Sequence, residues 1–155
     1  MYSIILAGLM AAAPPVASPP VFNAILEPDP IASEAYSPST GGAMISIDGS
    51  RVRYNIKLAG VDHVTAIALI DQGVVVPIYS GPTTGEQDAM LLRGVVPRRA
   101  LHGVRPSSLA SDMRNGQVDV VVFTTESPGG AYVGKLYAGL APVPPAHEPM
   151  VAIGY

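Results

Sequence analysis

The stretch NGQVDVVVFTTESPGGAYVGKLYAG, residues 115–139, decides the fold class. Side chains of an extended chain alternate between two faces. Val118, Val120 and Val122 therefore share one face, and Asp119, Val121 and Phe123 share the other. A valine-rich run of this length favours a pleated, enclosed strand. TTESPGG (124–130) then supplies the residues of a turn, and AYVGKLYAG (131–139) runs back. The predicted element is an antiparallel hairpin. Such a strand can carry a metal ligand or a catalytic side chain at its end, where this chain has Phe123.

Moving outward, the segment before the hairpin predicts one short helix. Ser107 or Ser108 would cap it, Leu109 and Met113 share a face at i, i+4, and Asn115-Gly116 ends it. PRRALHGVRP (97–106) reads as irregular and basic. Further back the signals are strands. RVRYNIKL (51–58) is the cleanest alternation, with Val52, Tyr54, Ile56 and Leu58 inward and Arg51, Arg53, Asn55 and Lys57 toward water. VFNAIL (21–26), AMISID (43–48), VTAIALI (64–70), GVVVPIY (73–79) and AMLLRGVV (89–96) complete the set. VTAIALI is apolar on both faces, as a central strand is, and a hairpin joins it to 73–79. Pro77 assigns the second half of that hairpin to an edge or a bulge. EPDPIASEAYSPSTGG (27–42) and SGPTTGEQD (80–88) are loops. About eight short strands with one small helix predict an all-β antiparallel sandwich or Greek-key-like barrel.

Composition narrows the function classes. The 155 residues suit one domain, with an enclosed core of ordinary size. Nine Lys and Arg against twelve Asp and Glu give a net charge of −3, and no basic stripe stands out, so a nucleic-acid partner is not expected. With no cysteine, disulfides, thiol nucleophiles and thiolate metal sites are excluded. Gly and Pro, at 16 each, supply the frequent turns that short strands need.

The first residues, MYSIILAGLMAAAPPVASPP (1–20), read as a signal peptide or an apolar arm followed by a proline-rich spacer. The apolar run from Ile4 to Ala13 falls short of the roughly 20 residues a membrane span requires. No Lys or Arg precedes it, unlike an ordinary signal peptide. Residues 21–139 form the predicted domain. LAPVPPAHEPMVAIGY (140–155) is a proline-rich tail whose MVAIGY could add an edge strand.

Order and spacing of these segments resemble the CHRD domain, a family named for chordin and common in microbial exported proteins. Phe22, Ala24 and Leu26 match its F-x-A-x-L opening, and Gly42-Ala43 its second strand. RVRYNIKLAG (51–60), followed by Val64 to Ala66, matches the alternating strand and the V-T-A segment. Gly116, DVVVFT (119–124), Pro128, Gly130 and Gly134 match the late strand and the glycine pattern after it. The resemblance covers residues 21 to 138 and implies an exported β-domain. It also exposes departures. The family's H-I-H positions hold Ala68, Leu69 and Ile70, its late histidine position holds Phe123, and its late Glu and Arg positions hold Ala131 and Val133. Imidazole ligates a metal through a nitrogen lone pair, which none of these replacements offers. Such replacements are expected to fill an ancestral site as core.

The remaining candidates for chemistry are sparse. His63, His102 and His147 have no ligand spacing, and Asp62-His63 would need His102 beside them to hold a metal. TGEQD (84–88) offers loop carboxylates of the kind calcium takes. Asp119 either lies at a wet strand end or pairs with Arg93, Arg98 or Arg114. Arg98, Arg99 and Arg105 could touch an anionic surface such as lipid headgroups or polysaccharide. No G-x-S-x-G elbow is present.

The expectation is therefore a non-catalytic, exported binding or structural module of the cell surface, periplasm or medium. It would have no catalytic, cofactor-binding or metal residues and no cofactor, and its sheet interior would be hydrocarbon throughout. Its partner would be a protein or a surface glycan. The alternative is a self-assembling surface subunit that uses its apolar ends, 1–26 and 140–155, for strand addition. A third class, a copper–zinc dismutase-like enzyme, lacks the ligand cluster it would need.

Overall fold

The computed structural model describes residues 13, 15, 17–29, 40–85 and 89–139. Nine strands lie along this part of the chain: β1 (Val21–Pro28), β2 (Thr40–Asp48), β3 (Arg51–Ala59), β4 (Val64–Asp71), β5 (Val74–Ser80), β6 (Ala89–Val95), β7 (Val118–Thr124), β8 (Tyr132–Lys135) and β9 (Tyr137–Ala138). Between β6 and β7 come a 3₁₀ helix, Arg98–Leu101, and one α-helix, α1 (Pro106–Arg114). The protein is all-β, as expected, with the strands in the order β5-β4-β7-β8-β1-β2-β3-β6 and every pairing antiparallel.

This sheet curls on itself. Residues inside one half, β1-β2-β3-β6, pack onto those inside the other, β5-β4-β7-β8. Phe22, Leu26, Ile45 and Ile56 meet Ile67, Leu69, Val120 and Val122 in one core cluster. Each fully enclosed aliphatic or aromatic side chain contributes about 1.5–3 kcal/mol. The predicted inward sets Phe22/Ala24/Leu26, Val52/Ile56/Leu58 and Val118/Val120/Val122 are all buried, and Tyr54 is partly so.

β1 is the hinge between the halves. One end pairs with β8 at Glu27↔Val133 and Pro28↔Tyr132, the other with β9 at Phe22↔Ala138 and Asn23↔Tyr137. Residues 21–26 pair with β2 on the other side. Residues 21–26 therefore belong to the interior of the sheet rather than to a free N-terminal arm. At the crossing of β8 over β1, a Cβ on Gly134 would land on the Ile25 carbonyl and 2.9 Å from Leu26 Cδ2, so only glycine fits.

β5 and β6 are the two edges. Pro77 sits in edge strand β5, beside a register shift between Ile67 and Ala68, as its side chain requires. Helix α1 packs Leu109, Ala110 and Met113 onto the core. Its cap differs from the expected one: Arg105 is the N-cap and Pro106 the first helical residue, placing Ser107 and Ser108 inside the first turn. Proline at that position needs no donor and presets the helical φ. Asn115 and Gly116 (φ 67°) close the helix as expected. The segment expected to be irregular contains the 3₁₀ helix, anchored by buried Leu101.

Candidate functional site

The positions that depart from the family pattern gather in one place. Because Ala66 pairs with Phe123 and Ala68 with Val121, the side chains of Ala68, Ile70, Val121 and Phe123 share one face of β4 and β7. Val133, opposite Val121 on β8, extends that face. It is the outer face of the β5-β4-β7-β8 half, which corrects the expectation that these positions fill the core. Leu69 alone of the triplet points into the core cluster, together with Ala131. Ala68 and Val121 are buried outside that cluster, while Ile70, Phe123 and Val133 are half-buried. The Ser127–Gly130 turn folds back over the face, so that a Cβ on Gly130 would sit 3.0 Å from Val121 Cγ1. The surface so formed is apolar and holds no lone-pair donor at those positions.

Asp119 stands at the end of the same face. None of the three expected arginines is its partner. Lys135, directly opposite on β8, binds it at 3.2 Å and also donates to the Gly116 carbonyl at 3.0 Å. The aspartate side chain is 35% exposed, so the pair lies in water-rich surroundings and ties β7 to β8 only weakly.

His63 and His102 both occupy turns with positive φ, 51° and 48°. His63 accepts from the Thr125 N–H through its carbonyl, at 3.1 Å. Among the described residues no three of the His, Asp and Glu side chains come together. His147 and residues 86–88 of the TGEQD loop lie outside the described residues. Thr84 bonds β4 at both its N–H and its hydroxyl: its N–H donates to Val64 O at 3.1 Å and its Oγ1 accepts from Val64 N–H at 2.9 Å. Arg98, Arg99 and Arg105 are exposed.

One polar group enters the interior against expectation. Asp71 ends β4 on the inward register of Ile67 and Leu69, is 5% exposed, and its Oδ1 has no hydrogen-bond partner. Burial pushes its carboxyl above the ordinary value; the charge of Asp112 on α1, and a hydrogen bond with that side chain, push it further in the same direction. Asp71 holds its proton more firmly than a free aspartate would. Asp71 was missed because Gln72-Gly73 follows it and reads as a solvated turn. The period of two, carried one residue further along VTAIALID, places it inside. Thr124 is the other buried polar residue among the described residues, and its Oγ1 accepts from the Ser127 N–H at 3.1 Å.

On the opposite flank an open cleft of about 420 Å³ is lined by Gly41, Gly42, Lys57, Leu58, Ala59 and Ala89 to Leu91. Among the described residues Lys57 is its only charged wall.

Compared with known proteins, residues 22–136 match the family model of the CHRD domain. No curated protein and no solved structure matches the chain.

Proposed function

The chain belongs to the CHRD domain family, a domain found in extracellular proteins, and from that premise we propose that it is a non-catalytic module that binds a partner or supports structure outside the cytoplasm. One observation carries this reading. Ala68, Ile70 and Phe123, where the family pattern has histidines, come together on a single sheet face and present only hydrocarbon. A constellation that handles protons or coordinates a metal needs several lone pairs in one place; these three positions supply none, and the one carboxylate on the face, Asp119, is paired with Lys135. No helix among the described residues is long and apolar enough to cross a membrane. The purified chain should bind no stoichiometric metal and turn over nothing on a panel of hydrolase and oxidase substrates. Tight stoichiometric metal, or turnover, overturns the reading.

A second reading, self-assembly by strand addition, is favoured by β6. This edge strand has seven residues, no proline and no register shift against β3. Leu91 and Val95 on it are each 50% exposed. Edges of this kind template the pairing of another chain. Light scattering across a concentration series should then show growth beyond the monomer, and a monomer at the highest concentration refutes it.

A further inference from the structure

Resting on the reading of a binding module, we propose that the outer face of the β1-β2-β3-β6 half docks an acidic polysaccharide, a linear glycan that repeats carboxylate or sulfate groups. The face is a grid fixed by register. Its middle rung runs Tyr137, Asn23, Met44, Asn55, Arg93 from β9 to β6. Arg53 lies one step along β3 from Asn55, paired with Ser46 and Val95; Lys57 lies one step the other way, paired with Gly42 and Leu91. Arg93 thus stands diagonally between Arg53 and Lys57, about 7–8 Å from each at the backbone. The two β3 cations are four residues apart, or about 13 Å along the strand.

Charge is distributed unevenly. Six of the nine Lys and Arg (Arg51, Arg53, Lys57, Arg93, Arg98 and Arg99) come from β3, β6 and the 3₁₀ helix, although the whole chain carries −3. The described residues of those three elements include no acid. Among the described residues two carboxylates border the face, Asp48 opposite Arg51 at one end and Glu27 at the other. Arg53, Lys57 and Arg93 are exposed and form no ion pair among the described residues. Three like charges on neighbouring positions, unpaired among the described residues, repel one another, and a polyanion laid along β3 relieves that repulsion at every contact.

The same grid argues against a lipid surface. Along β6 the exposed apolar side chains Leu91 and Val95 are separated by Arg93, and exposed Val21, Met44 and Tyr137 lie beyond β3 on β1, β2 and β9, so the strip that carries the cations has no continuous apolar run for insertion. Ser46, paired with Arg53, and Asn55, between Arg53 and Lys57, are partly exposed; the Ser46 hydroxyl and the Asn55 amide N–H groups are polar atoms that sugar hydroxyls use, whereas Asn55 Oδ1 is buried. The Lys57 end of the track opens into the cleft lined by Gly41, Gly42 and Leu91, which gives the glycan a place to end or turn.

Affinity electrophoresis of the full chain tests this, with polygalacturonate as the acidic probe, dextran as the neutral one, and vesicles of equal phosphatidylcholine and phosphatidylglycerol as a third arm. At about 0.05 M salt, where screening is weak, polygalacturonate should retard the protein and dextran should not. The retardation should fade as salt rises. R53Q/K57Q/R93Q should lose about tenfold or more in affinity, whereas Arg53→Lys with Arg93→Lys keeps most of it and Arg114→Gln on α1 keeps all of it. Thermal melting confirms that each variant folds. Equal binding by the triple variant, equal retention by dextran, or binding to vesicles alone overturns the proposal. None of these results bears on metal or turnover in the unaltered protein, so the broader reading stands or falls separately.

Discussion

Asp71 is the residue whose chemistry departs most from its surroundings. Its carboxyl is raised by burial and by Asp112, so the folded chain holds the proton more tightly than the unfolded chain does. Such a group contributes fully below its unfolded value, about pH 4, and that contribution disappears as pH rises through the folded value. Asp71→Asn removes the ionisation and nearly preserves shape. The variant should match the parent in acid and exceed it by about 1–3 kcal/mol at pH 8, as read by urea unfolding across pH; a gain independent of pH would contradict this origin. Asp119, although it sits on a valine strand, should matter far less. Its partner Lys135 is 45% exposed, so Asp119→Ala should cost about 1 kcal/mol or less in the same assay. Both residues were only partly legible. Period two gave the face of Asp119 and, had it been carried one residue past Ile70, that of Asp71, but the partner depends on which strand or helix arrives opposite, and nothing local encodes that.

At the scale of elements, the crossing of β8 over β1 and the seating of α1 set the tolerances. Gly134→Ala pushes a methyl against the Ile25 carbonyl. Backbone yields less than a side-chain tip, so the loss should lie toward the upper end of about 1–3 kcal/mol. Equilibrium denaturation measures it, and an unchanged midpoint would show that the strands can part. Met113 has no exposed surface and fixes α1 to the core; Met113→Ala should cost about 2–5 kcal/mol, with near-ultraviolet dichroism reporting loosened aromatic packing. The longer strands were legible because their alternation repeats over enough residues to outweigh noise, as RVRYNIKL shows. β9 was not, since two residues carry no period. The helix cap was misplaced because Ser107 and Ser108 have the ordinary capping side chain while Pro106, just before them, has the fixed backbone angle, and the angle prevailed. The family-pattern positions were legible as apolar, yet their side of the sheet was not. Burial of Ala68 and Val121 resembles core burial in composition and differs only in what lies across from them.

For the whole molecule, the far-separated pairing of β1 with β8 and β9 sets the folding behaviour. Such long-range contacts repay their loop-closure entropy late, so refolding should take milliseconds to seconds rather than microseconds, as stopped-flow dilution from urea would record. Phe22, without exposed surface, lies where β1 meets both β2 and β9. Phe22→Ala should remove about 3–5 kcal/mol from the cooperative transition. A separate, earlier transition for either half would mean that the curled sheet is two independent units. The same hinge strand bears on biosynthesis. β1 opens the matched domain, yet the segments that flank it on one side are Tyr132–Lys135 and Tyr137–Ala138, close to that domain's end. Until those last residues arrive, the amides and carbonyls on that side of the strand must stay hydrated, so the sheet cannot close before residues 132–138 have been made.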